Sequence, residues 1–369
     1  MTTALVNATS LNLRDAANGA VVAVLPRGTV LNLADGASGD WVQVSTANTT
    51  PTQFGWVSAR FIAVQSAPPP AQAGTPPADD AAHPVTVSGD NALGPDGKPF
   101  ARRFKAGFFT SGQTTLRAWL SAGAPAGAPS ASVVRAVQAV SQNEGRLEAV
   151  NTYDNAHLSF GMFQWTAGAG GDPGELAGLL NLLRQSAPAV FQDCFGQYGL
   201  DVDLPAGSIA SGNLRLNGQV LGTGADKEQL RQPPWVYRFW RAGQFAEMRL
   251  AELGLAAARI GRFADVAVNG FPLRQWLSSE YGIALVLDEH VNRPGHVPGT
   301  LITAIAALPG GGGAIDPTAW TRDDELGLIS QYVQARATTT MTDPDGRAAR
   351  IASSVSSGAL SEERGSFQG

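Results

Sequence analysis

The chain has 369 residues, room for two domains, one with a sizeable core. No apolar run approaches the ~20 residues of a spanning helix, so a membrane anchor of that kind is excluded. A net charge of −5 argues against a nucleic-acid partner held by bulk electrostatics, and the single cysteine, Cys194, rules out an internal disulfide or a Cys-rich zinc site. Cys194 itself reads as a small buried hydrophobe. The four histidines, at 83, 157, 290 and 296, lack HExxH spacing. His290 and His296 flank a Pro-Gly turn and form the one pair that could share a metal. No metal and no cofactor is expected.

Residues 1–65 read as all-β. "LNLRDAANGAVVAVLPRGTVLNLADGASGDWVQV" alternates apolar and polar residues in short runs broken by Asn-Gly, Pro-Arg-Gly and Gly-Asp turns. Five or six strands in so short a segment must curl into a small barrel to bury one face and hide their edges. "LNLR" at 11–14, "VLPRGTVL" at 24–31, "WVQV" at 41–44 and "GWVSARFI" at 55–62 follow one another as in bacterial SH3-like domains, which this segment resembles. The resemblance implies a non-catalytic module that binds cell-wall peptide or glycan. The alternative is a barrel that only packs on its neighbour.

Residues 66–85 are rich in Pro and Ala and carry no hydrophobic period, the pattern of a stiffened linker. A tethered wall-binding module would raise the local concentration of whatever follows it. From 86 to 352 a strand-and-turn entry gives way to helical periods, among them "SASVVRAVQAVSQNEG" and "FPLRQWLSSEYGIALVLDEHVN". Asn217-Gly218 between alternating apolar residues marks a hairpin. Residues 353–369 read as a flexible tail.

Within the helical region, "QNEGRLEAVNTYDNAHLSFGMFQW" at 142–165 concentrates polar chemistry. Glu144 is expected at the C-terminal end of a helix, with Gly145 as its left-handed stop. The negative end of the helix dipole and apolar neighbours would raise its pKa, as a general acid for an ether-like oxygen requires. A Tyr-Asp-Asn turn in a small hairpin would bring Asp154 back toward Glu144, and two carboxyls flanking a cleft suit glycoside hydrolysis. Asp154 is otherwise an Asx-turn residue and Ser159 a packed hydroxyl. Glu148 reads as a solvated side chain, and Asp288 with Glu289 as a helix-end salt-bridge cluster.

This stretch resembles the lysozyme superfamily. The resemblance implies Glu144 as general acid, Asp154 as the residue that orients or activates water, and Ser159 in the place of the family's threonine. "GMFQ" at 161–164 also resembles the Gly-Leu-Met-Gln signature of lytic transglycosylases, which need no second carboxylate, although Gly145 replaces the usual serine after the glutamate. Tyr153, Asn155, Gln164 and Trp165 would line the cleft, the amide reading sugar substituents and the indole stacking on a ring, or else Gln164 and Trp165 would pack at the hairpin base. Arg238, with Arg241 beside it, follows a dense aromatic run at 235–240 and could grip a carboxylate of peptidoglycan.

The expected fold is therefore multidomain: a small all-β SH3-like barrel followed by a mainly α, lysozyme-like (α+β) domain with a short β-hairpin at the active site. The expected activity is muramidase-type cleavage of β-1,4 bonds in peptidoglycan, as in an endolysin. The alternatives are a lytic transglycosylase, a chitosanase- or chitinase-like hydrolase, and a phage structural protein that binds wall without cutting. The partner is peptidoglycan, held at both domains by a monomer, with no nucleic acid and no membrane span. The N-terminus lacks a basic and apolar leader pattern, so synthesis in the cytoplasm and action in periplasm or wall after release or injection are expected.

Overall fold

The computed structural model describes residues 3–17, 19–38, 40–46, 53–65, 83–205, 208–310 and 315–369. The linker expected at 66–85 falls outside them except for its last three residues. The chain divides into two compact units, Met1–Gly74 and Thr75–Gly369.

In the first unit, strands β1 (Thr3–Val6), β2 (Ser10–Arg14), β3 (Val21–Pro26), β4 (Val30–Ser38), β5 (Trp41–Thr46), β6 (Phe54–Ser58) and β7 (Ile62–Gln65) form one curled antiparallel sheet. Its order is β3-β2-β6-β5-β4-β1-β7, seven strands where the sequence pattern suggested five or six. The period-two alternation puts Leu11 and Leu13 of β2, Leu25 of β3, Leu31 of β4, Val44 of β5 and Val57 of β6 into a single small core with Ala4, Val6 and Ile62. At the sheet edge, Val21, Val22 and Val24 of β3 remain exposed.

The second unit opens with an antiparallel sheet of β8 (Thr86–Ser88), β9 (Asn91–Leu93), β10 (Pro99–Phe104), β11 (Gly107–Thr110), β12 (Val150–Asn151), β13 (Ser159–Phe160) and β14 (Trp165–Thr166), each paired with the next. The expected hairpin thus belongs to a seven-stranded meander. A separate three-stranded sheet holds β15 (Leu200–Asp203), β16 (Asn213–Leu216) and β17 (Gln219–Val220), the last two joined through Asn217 and Gly218, both left-handed as a tight hairpin needs.

The main helices are α1 (Ala131–Ser141), α2 (Leu176–Ser186), α3 (Pro188–Cys194), α4 (Pro233–Ala242), α5 (Ala246–Ala264), α6 (Glu280–Asn292), α7 (Val297–Ala306), α8 (Arg322–Ala337) and α9 (Pro344–Ser356). Ser130 and Ser279 cap α1 and α6 by accepting from the amides of Val133 and Gly282. Every residue of α6 from Gly282 to Glu289 is buried, so α6 is the central helix, with α1, α5, α8 and α9 packed around it.

The expected tail is part of this body. Helix α9 crosses position 352, Leu360 is buried, and Arg364 pairs with the buried Glu325. Backbone bonds from Tyr281 to Ser361 and from Phe367 to Ser278 fasten the last residues to the start of α6. Polar composition suggested fraying; long-range hydrogen bonds to a buried helix end prevail over it. Among the described residues, no helix is long and apolar enough to cross a membrane.

Candidate active site

Helix α1 ends at Ser141, with Gln142 as its right-handed C-cap, so the helix stops before Glu144. Gly145 is not a left-handed stop. Its amide donates to the carbonyl of Met162 at 2.9 Å, and a Cβ added there would meet the Gly161 carbonyl at 3.3 Å and Gln164 Nε2 at 3.4 Å. A close approach of two backbone segments explains the glycine, which seats the residue after Glu144 against the Gly161–Gln164 turn.

The side chain of Glu144 is 14% exposed. Its Oε1 accepts from Arg347 Nη2 and, at 3.2 Å, from Asn292 Nδ2. Burial pushes the carboxyl above the ordinary glutamate range; the Arg347 guanidinium pulls the other way, and Asp288 adds an upward push. A carboxyl that keeps its proton nearer neutrality, and still reaches solvent, can pass that proton to an oxygen placed against it.

Arg347 connects Glu144 to a buried ion cluster. Asp288, fully buried, accepts from Arg347 Nη2 at 2.7 Å, Arg336 Nη2 at 2.5 Å and Asn143 Nδ2 at 2.9 Å. Glu289, also fully buried, accepts from Thr300 Oγ1 at 2.7 Å, Arg293 Nη2 at 3.0 Å and Tyr332 Oη at 2.5 Å. The pair lies near the end of α6, as expected, and inside the protein.

Asp154 is held by its own turn. Oδ2 accepts from Asn151 Nδ2 at 2.7 Å and Oδ1 from the Ala156 amide at 3.0 Å, an Asx-turn. Register places Asn151, Ser159 and Thr166 side by side on one face of β12–β14, with the buried Val150, Phe160 and Trp165 on the other. Ser159 is buried on the face that carries Asn151, and Asp154 is tied to that face only through the Asn151 amide. Gly145, next to Glu144, meets the far end of the same hairpin, and no hydrogen bond joins Glu144 to Asp154.

Of the residues assigned to binding, Tyr153 is half-buried, its ring edge-on to Phe104 at 4.8 Å, and Asn155 is exposed. Gln164 is left-handed and donates through Nε2 to the Gly161 carbonyl at 2.9 Å, bracing the turn. Trp165 is 1% exposed and 5.6 Å from the Phe163 ring, so it packs at the hairpin base and offers no face to a sugar. Arg238 lies over the rings of Tyr198 and Trp235, at 3.7 and 4.4 Å. Arg241 donates to Asp193 at 2.6 Å.

Two further carboxyls depart from the sequence reading or escape it. Glu148 is not solvated: it is 2% exposed, and its Oε1 accepts from the amides of Gln113 and Thr114 and from Thr114 Oγ1 at 2.8–2.9 Å. Unsatisfied amides in the 112–114 loop outweigh the polar surroundings in sequence. Glu252 on α5 is fully buried and accepts from the Met162 amide at 2.7 Å. Burial holds its carboxyl well above the usual range, and Glu148 adds to the push. Glu252 thus anchors the Gly161–Gln164 turn from below, a role that only the fold exposes. Asn292, Arg336 and Arg347, likewise missed, come from segments far along the chain.

His290 faces Phe263 at 5.3 Å, and burial beside Arg259 and Arg262 lowers its pKa to about 4. Cys194 is buried, which raises its thiol to about 12. Among the described residues no group of three or more His, Cys, Asp or Glu side chains is placed to hold a metal. In the first unit, Arg14 lies over the Trp41 ring at 5.5 Å, and both line a concavity of about 200 Å³ with Asn12 and Phe61.

Residues 9–63 match the model of the bacterial SH3 domain family, and with the curled sheet this makes the N-terminal unit SH3-like. The second unit is mixed helix and strand. Neither the curated proteins nor the solved structures contain a match to the chain.

Proposed function

We propose that the protein is a peptidoglycan-cleaving glycoside hydrolase of muramidase type, with Glu144 as its general acid and the SH3-like unit as its wall-binding module. The observation that carries this reading is Glu144 itself: a mostly buried carboxyl with a raised pKa that still reaches solvent beside the Gly161–Gln164 turn. Protonation of a glycosidic oxygen needs such a group, because a carboxylate ionised at its ordinary value has no proton to give near neutral pH. Bacterial SH3 domains bind cell-wall components, which brings the same substrate to both units. The concavity under Arg14 and Trp41 is the surface on which a wall peptide would sit.

A specific observation also favours a lytic transglycosylase. The oxygens of Asp154 are engaged by Asn151 and Ala156, and Asp154 shares no hydrogen bond with Glu144. In a transglycosylase the substrate's own hydroxyl is the nucleophile, and one carboxyl serves first as acid and then as base.

Digestion of purified peptidoglycan by wild type and by Glu144→Gln, with products read by mass spectrometry, tests both. General acid catalysis contributes on the order of 10²–10⁴-fold, and the variant is expected to lose at least the lower figure with its fold intact by circular dichroism. Reducing-end fragments identify a hydrolase and anhydro-sugars a transglycosylase. Equal activity of the two proteins would remove Glu144 from the chemistry.

A further inference from the structure

The second unit contains a cavity of about 420 Å³ between α1 and the end of α9, apart from the carboxyl described above. Its lining is rich in hydrogen-bond donors: Arg117 and Arg135, the amides Gln138 and Gln142, and hydroxyls that include Ser354 and Ser357. No carboxylate lines it. Glu280, the carboxylate paired with Arg135, accepts from its Nε and Nη2, from Ser132 Oγ at 2.8 Å and from the Ser361 amide at 3.1 Å. That pairing leaves Arg135 Nη1 without a hydrogen-bond partner among the described residues. Arg117 is exposed and has no carboxylate partner among the described residues.

Arg117, the remaining Nη1 of the Glu280-paired Arg135, and two amides define a site for an anion that accepts several hydrogen bonds at once. The volume lies within the range of small-ligand pockets, roughly 300–1,000 Å³, and exceeds what a bare ion fills.

Position gives the anion an identity. Gln142 lines the cavity and donates to Ser354 Oγ at 3.1 Å, while Glu144, two residues on, meets Arg347 of the same helix α9. Seven residues of α9 separate Arg347 from Ser354, roughly 10 Å at 1.5 Å per residue. A polymer bound at Glu144 could therefore reach the cavity with a short side branch. We infer that this cavity is a subsite for the carboxylate-bearing stem peptide of peptidoglycan, with Arg117 and Arg135 as its anchors. The inference rests on the reading of Glu144 as a wall-cleaving residue for its choice of ligand, and on the cavity alone for the anion.

The test titrates the full chain with the tripeptide L-Ala–γ-D-Glu–L-Lys, its fully amidated form and inorganic phosphate, by calorimetry. The free acid is expected to bind at least tenfold more tightly than the amide or phosphate. Arg117→Ala should cost at least a further tenfold, and Glu144→Gln should leave binding unchanged. Arg117 is exposed, so its replacement does not open the core. Equal binding of acid and amide, equal binding by wild type and Arg117→Ala, no binding, or phosphate as good as the peptide would each overturn the subsite. Cleavage separates the two readings. On walls with stems intact Arg117→Ala should raise KM without lowering kcat, and on glycan stripped of peptide it should match wild type. Peptide binding by a wild type that cuts no glycan would leave the cavity standing and remove the hydrolase.

Discussion

Glu144 and Asp154 belong to one short stretch of chain, yet the structure secures them in opposite ways. Asp154 is fixed by Asn151 and Ala156, its immediate neighbours, and would adopt its turn in almost any setting. Glu144 is fixed by Asn292 and Arg347, and behind Arg347 by Asp288 and Arg336. A locally satisfied carboxylate stays near its own backbone. A carboxyl held by distant elements can be buried, tuned and aimed, because the packed helices supply both its partner and its low-dielectric wall. The contrast marks Glu144 as the chemically prepared member of the pair.

The largest effect is expected from Asp288→Ala. It leaves the buried guanidinium of Arg336 without a carboxylate and Arg347 with Glu144 alone. Removing one partner of a buried ion cluster costs about 3–5 kcal/mol, and thermal unfolding should report a loss of that size. A loss under 1 kcal/mol would show that the long-range half of the comparison is not held as described.

A sharper probe is Arg347→Gln. Arg347 pulls the pKa of Glu144 down against burial. If Glu144 is the general acid, it works only while protonated, and activity falls as pH rises through its pKa. Without the guanidinium the pKa rises, and the alkaline limb of the rate profile should move to higher pH. A limb that stays in place, or moves down, would separate Glu144 from the rate.

The smallest effect belongs to Asp154→Asn. Asparagine keeps an oxygen for the Ala156 amide and retains turn propensity. Stability should change by less than about 1 kcal/mol. If Asp154 only shapes the hairpin, digestion of peptidoglycan should fall by less than tenfold, whereas a loss comparable to that of Glu144→Gln would restore it as the second carboxyl of a hydrolase.

Much of the fold was legible because local signals are strong where the chain is regular. Alternation in "LNLR" and "WVQV" leads directly to β2 and β5, and Asn217-Gly218 to the turn between β16 and β17. Ser130 before an apolar period of four marks the start of α1. The helix end was read three residues too late, because Gly145 suggests a C-cap when its backbone contact with Met162 is unknown. Glu148 misled for a related reason: nothing in "GRLEAV" tells that a loop some 35 residues earlier needs its oxygen.

The sequence by itself determined the SH3-like pattern of the first unit, the turn that holds Asp154 and the presence of a glutamate near the C-terminal end of a helix. These depend on side-chain period and on contacts a few residues apart, which composition and order encode. Only the tertiary structure decided that Trp165 is core, that Glu252 supports the Met162 turn, that Arg347 lies on Glu144 and that residues 353–369 are fastened to α6. Such facts depend on which surfaces meet when the helices pack. Burial then changes the charge state of a carboxyl, and only the packed fold sets burial.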